Sequence, residues 1–277
     1  MNIACGTVNF RKHPLEEALQ RIRRAGYGWV EPQATAPFCP HVDVDHDDPE
    51  DFRRLICDMG FHGATALWAT HGAIIPDPQS VEYTVRCIEW ARAAGIPVVN
   101  VGDGFKPRDL SSEQAWGTLT TRLCQIVEAA EALKVHVAVE PHGTFSLTAE
   151  GLVRIMGISS SPFLGINYDA ANIHRAAYVE TRDGEYVWHE IAGKQDPVAT
   201  LERIADRVVH FHAKDLVGDD CVALGEGEVD NATCIRVLRQ VGYDGAVSLE
   251  TEGELDADQQ ERLITKSREY LANLLSG

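Results

Sequence analysis

The sequence predicts an α/β protein, a single-domain (β/α)8 TIM barrel over residues 1–277, on three observations. Short apolar runs alternate with segments of helical period from one end of the chain to the other, the order expected of successive βα units. About eight such units fit into the 277 residues, the usual size of an eightfold barrel. The first strand leads into Cys5-Gly6-Thr7-Val8, whereas the rival doubly wound sheet carries a glycine-rich phosphate loop there. No repeat, low-complexity run or linker divides the chain.

Strand one is expected at Asn2–Thr7. The helix after it places Leu15, Ala18, Leu19 and Ile22 on one face, with Pro14 near its start and Gly26 past its end. Strand two is Gly28–Glu31. The acidic run from His41 to Asp48 lacks the glycine and glutamate of a calcium loop and reads as a solvated loop capping a helix before Pro49. Strand three is Gly63–Leu67, followed by Trp68 and His71. Asp77-Pro78 opens a helix that carries Val81, Val85 and Ile88 inward and stops at Gly95. Strand four is Val98–Gly102, with Gly102-Asp103-Gly104 read as a turn. Ser111-x-x-Gln114 is a capping box for the helix holding Leu119, Leu123, Ile126 and Val127.

Strands five and six are Val135–Glu140 and Leu164–Asp169. A long connection from His174 to Gln195, with Tyr178, Tyr186, Trp188 and His189, suits either a substrate lid or an oligomer contact. Asp196-Pro197 opens a helix with Leu201, Ile204 and Ala205, and strand seven is Val208–His212. Asp230 opens the next helix, with Ile235 and Leu238, ending at Gly242. Strand eight is Ala246–Glu250, and the last helix lies near Asp258–Leu275.

A net charge of −17 argues against nucleic acid or an anionic membrane surface as partner. No apolar stretch approaches a membrane span, and no basic-then-apolar leader follows Met1, so a cytoplasmic location is expected. The seven cysteines are scattered, with no C-x-x-C pair, and are expected to be reduced.

Four residues carry the functional signal: Glu140, Asp169, His212 and Glu250, each at the end of an apolar run. A buried ionisable group is costly unless paired. In a barrel the C-terminal ends of the strands meet at one mouth, so strands five to eight would bring these four together. Four unrelated rim ion pairs are the plainer alternative. Three carboxylates and one imidazole suit a hard divalent cation, Mn²⁺ or Mg²⁺ first, Co²⁺ or Zn²⁺ also. Such an ion polarises a carbonyl, and a neighbouring carboxylate can then remove the proton α to it. Glu140 and Glu250 are the candidate acid and base.

His142 follows Glu140 by two and should face the mouth, and Lys214 stands likewise to His212, touching substrate or pairing with Asp215. Trp68, His71 and His174 are further substrate-binding candidates. His210 reads as a satisfied core histidine, and Glu31 ends strand two. No serine-nucleophile elbow is present.

Glu140-Pro141-His142-Gly143, Asp169-Ala170-Ala171-Asn172, His212-Ala213-Lys214-Asp215 and Leu224-Gly225-Glu226-Gly227-Glu228-Val229-Asp230 resemble motifs of the xylose-isomerase-like superfamily. Gly242-Tyr243-Asp244-Gly245 leading to Leu249-Glu250 is similar too. That superfamily includes ketose 3-epimerases, inosose isomerases and dehydratases, 3-keto-sugar lyases and apurinic-site endonucleases. The resemblance implies metal ligation by Glu140, Asp169, His212 and Glu250, a small-molecule sugar or polyol substrate, and a homo-oligomer. Two positions depart from the epimerase pattern. Asn172, counted with the substrate-binding residues, replaces a histidine, and Gly218 stands where an arginine is often found. An isomerase or epimerase is therefore the first expectation, and a lyase using the same enediolate the second. An endonuclease would need more histidine ligands and a basic face, and a mere sugar binder would be expected to lose one of the two glutamates.

Overall fold

The computed structural model describes residues 1–69, 73–182, 185–253 and 255–276. Eight parallel strand positions form the barrel. They are β1 (Asn2–Gly6), β2 (Trp29–Glu31 and Gln33–Thr35), β3 (Gly63–Ala64 and Leu67–Ala69), β4 (Val98–Gly104), β5 (His136–Gly143), β6 (Leu164–Asp169), β7 (Val208–Ala213) and β8 (Ala246–Leu249).

Each strand pairs with the next, and β1 pairs with both β8 and β2. Strands β2 and β3 are each split in two. Their first pieces pair with one another, and so do their second pieces, which closes the ring. Pro32 causes the first split: lacking an N–H, it interrupts the ladder, while its carbonyl still accepts the Trp68 amide at 3.1 Å.

Nine helices among the described residues follow the strands: α1 (Leu15–Arg24), α2 (Pro49–Asp58), α3 (Ser80–Ala94), α4 (Ser112–Leu133), α5 (Ala149–Met156), α6 (Ala170–Arg175), α7 (Pro197–Glu202), α8 (Asn231–Gln240) and α9 (Ala257–Ser276). Their starts follow local chemistry. Asp48, Ser111, Asp196 and Asp230 each accept backbone N–H groups of the first turn, and Ser111 and Gln114 form the full capping box. The acidic run ending at Asp48 is thus a cap and its approach.

Two expectations shift. The inward face of α3 is Ser80, Thr84, Cys87, Ile88, Ala91 and Ala94, while Val81 and Val85 are only half-buried. Gly102-Asp103-Gly104 is not a turn. It continues β4, with an irregularity in its pairing between Gly102 and Gly104.

The strands bury both faces, and their alternation separates two cores. Val99, Val101, Val137, Val139, Ile166, Tyr168, Phe211, Val247 and Leu249 belong to the large apolar layer shared with the helices. The alternate positions point into the barrel and are small or polar. Ala66, Val98 and Ala138 pack with Val209 as a separate small cluster. Glu31, Thr65, Asn100, Glu140, Asn167, Asp169, His210, His212 and Ser248 are among the buried polar residues on this face. The helices are held by apolar burial, whereas the barrel interior is a hydrogen-bonded network open to function at its C-terminal end.

Two antiparallel hairpins sit above that end. The connection from His174 to Gln195 contains Ala177–Arg182 paired with Glu185–Glu190. After β7, Asp215–Val217 pairs with Asp220–Val222, and Gly218 makes the turn with φ +62°. None of the described helices is long and apolar enough to cross a membrane.

Candidate metal centre

Glu140, Asp169, His212 and Glu250 converge as the sequence led us to expect. All four are buried, and ligand atoms of the four lie within 4.8 Å of one another. His212 Nδ1 is 3.3 Å from Glu140 Oε2 and 3.3 Å from Glu250 Oε2. Its other nitrogen is taken: Nε2 lies 2.9 and 3.0 Å from the two oxygens of Glu31. A carboxylate behind a histidine fixes the ring and its tautomer, leaving Nδ1 to ligate. Glu31 is itself held by Asn100 Nδ2 at 2.7 Å.

Asp169 divides its two oxygens. Oδ1 accepts the backbone N–H groups of Ala171 and Asn172 at 2.8 and 2.9 Å, capping α6. Oδ2 is buried and accepts no hydrogen bond, with only the Lys214 ammonium beside it at 3.0 Å. A buried carboxylate oxygen that accepts no hydrogen bond is costly unless a cation meets it. That oxygen, three carboxylates in reach of one another and one oriented imidazole nitrogen fit a hard divalent ion.

Glu140 is the most elaborately held of the four. Its Oε2 accepts Trp68 Nε1–H at 2.7 Å and Asn167 Nδ2 at 2.9 Å, and its Oε1 accepts Asn172 Nδ2 at 3.0 Å. Burial, reinforced by the charges of Glu250 and Asp169, nevertheless pushes its carboxyl up to about 7 despite the nearby His212. Glu250 goes the other way. Burial raises it, but Lys214 at 2.8 Å and His212 outweigh that and hold it far below the usual carboxylate range. Burial would lower His212, yet Glu31, Glu250 and Glu140 lift it well above its ordinary value. The cluster is strongly cation-attracting.

The other candidates fall into three groups. Trp68 and Asn172 both donate to Glu140 and so orient its carboxylate. His142 is half-buried at the mouth, in edge contact with Trp68 at 6.1 Å and with Tyr178 at 4.9 Å between ring centroids. Tyr178 and His189 of the long hairpin stack on Phe105, at 5.8 and 4.3 Å. An aromatic wall thus runs from Trp68 outward over the mouth, built partly by the connection expected to be a lid or a contact. His174 lies 3.5 Å from Glu228, with its side chain 19% exposed. His71 lies outside the described residues.

Lys214 corrects one expectation. It does not pair with Asp215 but with Glu250, Asp169 and, at 3.7 Å, Glu252. Asp215 instead accepts four backbone N–H groups, from Leu216, Gly225, Gly227 and Val229, at 2.9–3.0 Å. This explains why Leu224 to Asp230 is a recognisable motif. Gly225 has φ +85°, and a Cβ on Gly227 would run into Asp215 Oδ1 and the Leu216 carbonyl. The motif is a scaffold for the loop after β7.

His210 is the satisfied core histidine foreseen, bonded to Asn167 Oδ1 at 2.9 Å and Thr65 Oγ1 at 3.2 Å. Sequence reasoning passed over Asn100, Asn167 and the part played by Glu31. The signal was present: an asparagine at an inward position of an otherwise apolar strand.

Residues 19–274 match the family described as xylose isomerase-like TIM barrel. Among characterised and uncharacterised relatives, the chain is 29% identical over 201 residues to an uncharacterised protein of Methanocaldococcus jannaschii, covering 68% of this chain and 62% of that protein's length. It is 23% identical to a rhizopine catabolism protein of Rhizobium meliloti, over 86% of this chain and 75% of the relative. An inosose dehydratase of Clostridium tetani is 20% identical over 60% of this chain and 57% of its own.

Solved structures share the fold. A D-tagatose 3-epimerase-like protein superposes with TM-score 0.79 at 20% identity, covering 100% of this chain and 97% of its own. A xylose isomerase-like TIM barrel protein of Mycobacterium smegmatis in complex with magnesium gives 0.76 at 17%, covering 99% and 96%. The probable 3-DHS dehydratase AsbF of Bacillus anthracis gives 0.72 at 18%, covering 99% of each chain.

Proposed function

The chain belongs to the xylose isomerase-like TIM barrel family, and within it we propose that the protein is a metal-dependent isomerase or epimerase of keto-sugars or keto-polyols. The observation that carries this reading is the buried cluster whose ligand atoms lie within 4.8 Å of one another, two of them from glutamates whose proton affinities the site drives in opposite directions. Pairs of carboxyls separated in this way divide acid and base roles.

A divalent ion, Mn²⁺ or Mg²⁺, held by Glu140, Asp169, His212 and Glu250 would supply Lewis acidity to the substrate carbonyl. The protein's own groups do the rest. Glu250, kept ionised by the cations around it, removes the proton α to the carbonyl. Glu140 returns one, through the carboxyl oxygen that the ion would leave free. Trp68, Asn167 and Asn172 keep Glu140 in position. Trp68 and His142, with Tyr178, Phe105 and His189 beyond, give the C–H face of a sugar ring an apolar wall that sheds water.

A second reading is a lyase, in which the same enediolate expels a β-leaving group. It is favoured by Asn172, which cannot serve as the acid that a histidine there could be. The relatives named as dehydratases also support it. Incubation of the Mg²⁺-loaded protein with free ketoses, inososes and 3-keto-glycosides, before and after chelation, tests both. Isomeric sugars lost on chelation support the first reading, and loss of water or of an aglycone supports the second. Turnover that survives chelation contradicts both.

A further inference from the structure

Lys214 is buried among the ligands, with 2% of its side chain exposed. Its ammonium lies 2.8 Å from Glu250 Oε2 and 3.0 Å from Asp169 Oδ2. The first is the oxygen turned to His212 Nδ1, and the second is the oxygen that accepts no hydrogen bond. A hard divalent ion held by Asp169 and Glu250 would draw on those same oxygens, Asp169 Oδ1 being taken by the α6 amides, at about 2.0–2.6 Å. A compact ammonium and a divalent ion therefore contend for one pair of atoms.

The structure also provides somewhere for the ammonium to go. Glu252 Oε2 is 3.7 Å away, and Glu252 is 24% exposed, on the solvent side of the ligands. The lysine backbone is fixed meanwhile: Asn231 Nδ2 donates to the Lys214 carbonyl at 2.9 Å, and the neighbouring Asp215 is clamped by its four amides. Only the flexible stem has to turn.

We propose that Lys214 competes with the divalent ion for Asp169 and Glu250 and withdraws to Glu252 when the ion binds. Lys214 thereby lowers metal affinity, and Glu252 is the positioning residue that receives its charge. This rests on the metal reading above. It goes further in making the two cations alternatives and in giving Glu252 a part that no motif suggests.

Mn²⁺ titration calorimetry on the wild type, Lys214→Met and Glu252→Gln tests it. Lys214→Met should bind Mn²⁺ about tenfold tighter than the wild type, a usual size for two coupled binding events. Its melting temperature should fall below the wild type without Mn²⁺ and return towards it at saturation, because the ion replaces the lost charge. Glu252→Gln should bind Mn²⁺ more weakly, having removed the acceptor for the ammonium. Equal or weaker binding by Lys214→Met overturns the proposal, since a lysine that only braces the ligands would give that result.

Should Lys214→Met fail to fold, crystals of the wild type grown with and without Mn²⁺ decide. Nζ should leave Asp169 Oδ2 and reach hydrogen-bond distance of Glu252 when Mn²⁺ is present, and an ammonium that keeps its place overturns the proposal. Failure of the wild type to bind Mn²⁺ at all would defeat the metal reading itself, and this inference with it.

Discussion

Replacing Glu31 by glutamine keeps the shape of the side chain and removes one charge from behind His212. Glu31 is fully buried, and burial alone would raise its pKa, but His212 and His210 hold it below the usual range, so it is ionised. Both its oxygens lie within 3.0 Å of His212 Nε2. The amide can offer the imidazole only one oxygen, and Asn100 already donates to that side at 2.7 Å. The ring would lose both its orientation and part of its basicity at Nδ1. Loss of such a supporting partner typically costs 10–100-fold in metal affinity, about 1.4–2.7 kcal/mol. Full burial places the expected loss toward the upper end. Mn²⁺ titration calorimetry on both proteins, with circular dichroism to confirm the fold, measures it. Affinity within twofold of the wild type in a folded variant would show that Glu31 does not support the ligand and that the histidine's role has been misread.

Four further outcomes follow from the same geometry. Glu250→Gln should reduce turnover by at least ~10²-fold, the scale of a lost acid–base group, and near-normal rates with metal retained would remove Glu250 from the chemistry. Glu140, pushed up to about 7, is protonated below that pH and must lose its proton to ligate. Mn²⁺ affinity should therefore fall as pH drops from 8 to 6, and flat affinity over that range would contradict it. Trp68→Phe deletes the indole N–H that favours the charged form of Glu140. The acidic limb of the pH–rate profile should move to higher pH, and an unmoved limb would make Trp68 a packing residue only. Asp215→Ala leaves four backbone N–H groups without their carboxylate and should destabilise the fold by about 3–5 kcal/mol, read by urea denaturation.

Much of the barrel was legible because its strands are buried on both faces and bounded by strong helix caps. Val137-Ala138-Val139-Glu140 and Val247-Ser248-Leu249-Glu250 show both halves of the logic: apolar residues turn outward to the helices, and small or polar ones turn inward. The four candidate ligands stood out in the sequence because each ends such a run. What could not be read depends on contacts between distant strands. Glu31 looked like a strand end until His212, 181 residues away, was found against both its oxygens. For Lys214 the sequence left open a substrate contact or a pair with its neighbour Asp215, but adjacent residues on a strand face opposite ways. Asp215 therefore turned to the loop amides, and Lys214 to the barrel axis. The inward face of α3 was misjudged by one position because Thr84 and Cys87 pack as well as valine when the space is small.

In the proposed function, this site removes a proton α to a metal-bound carbonyl. Proton NMR in D₂O of keto-sugars incubated with the Mg²⁺-loaded protein tests it most directly. The expected result is loss of the α-proton signal, dependent on Mg²⁺ and abolished in Glu250→Gln. Rearranged product that keeps its α-proton fully unexchanged, or exchange that persists without Glu250, would contradict the account.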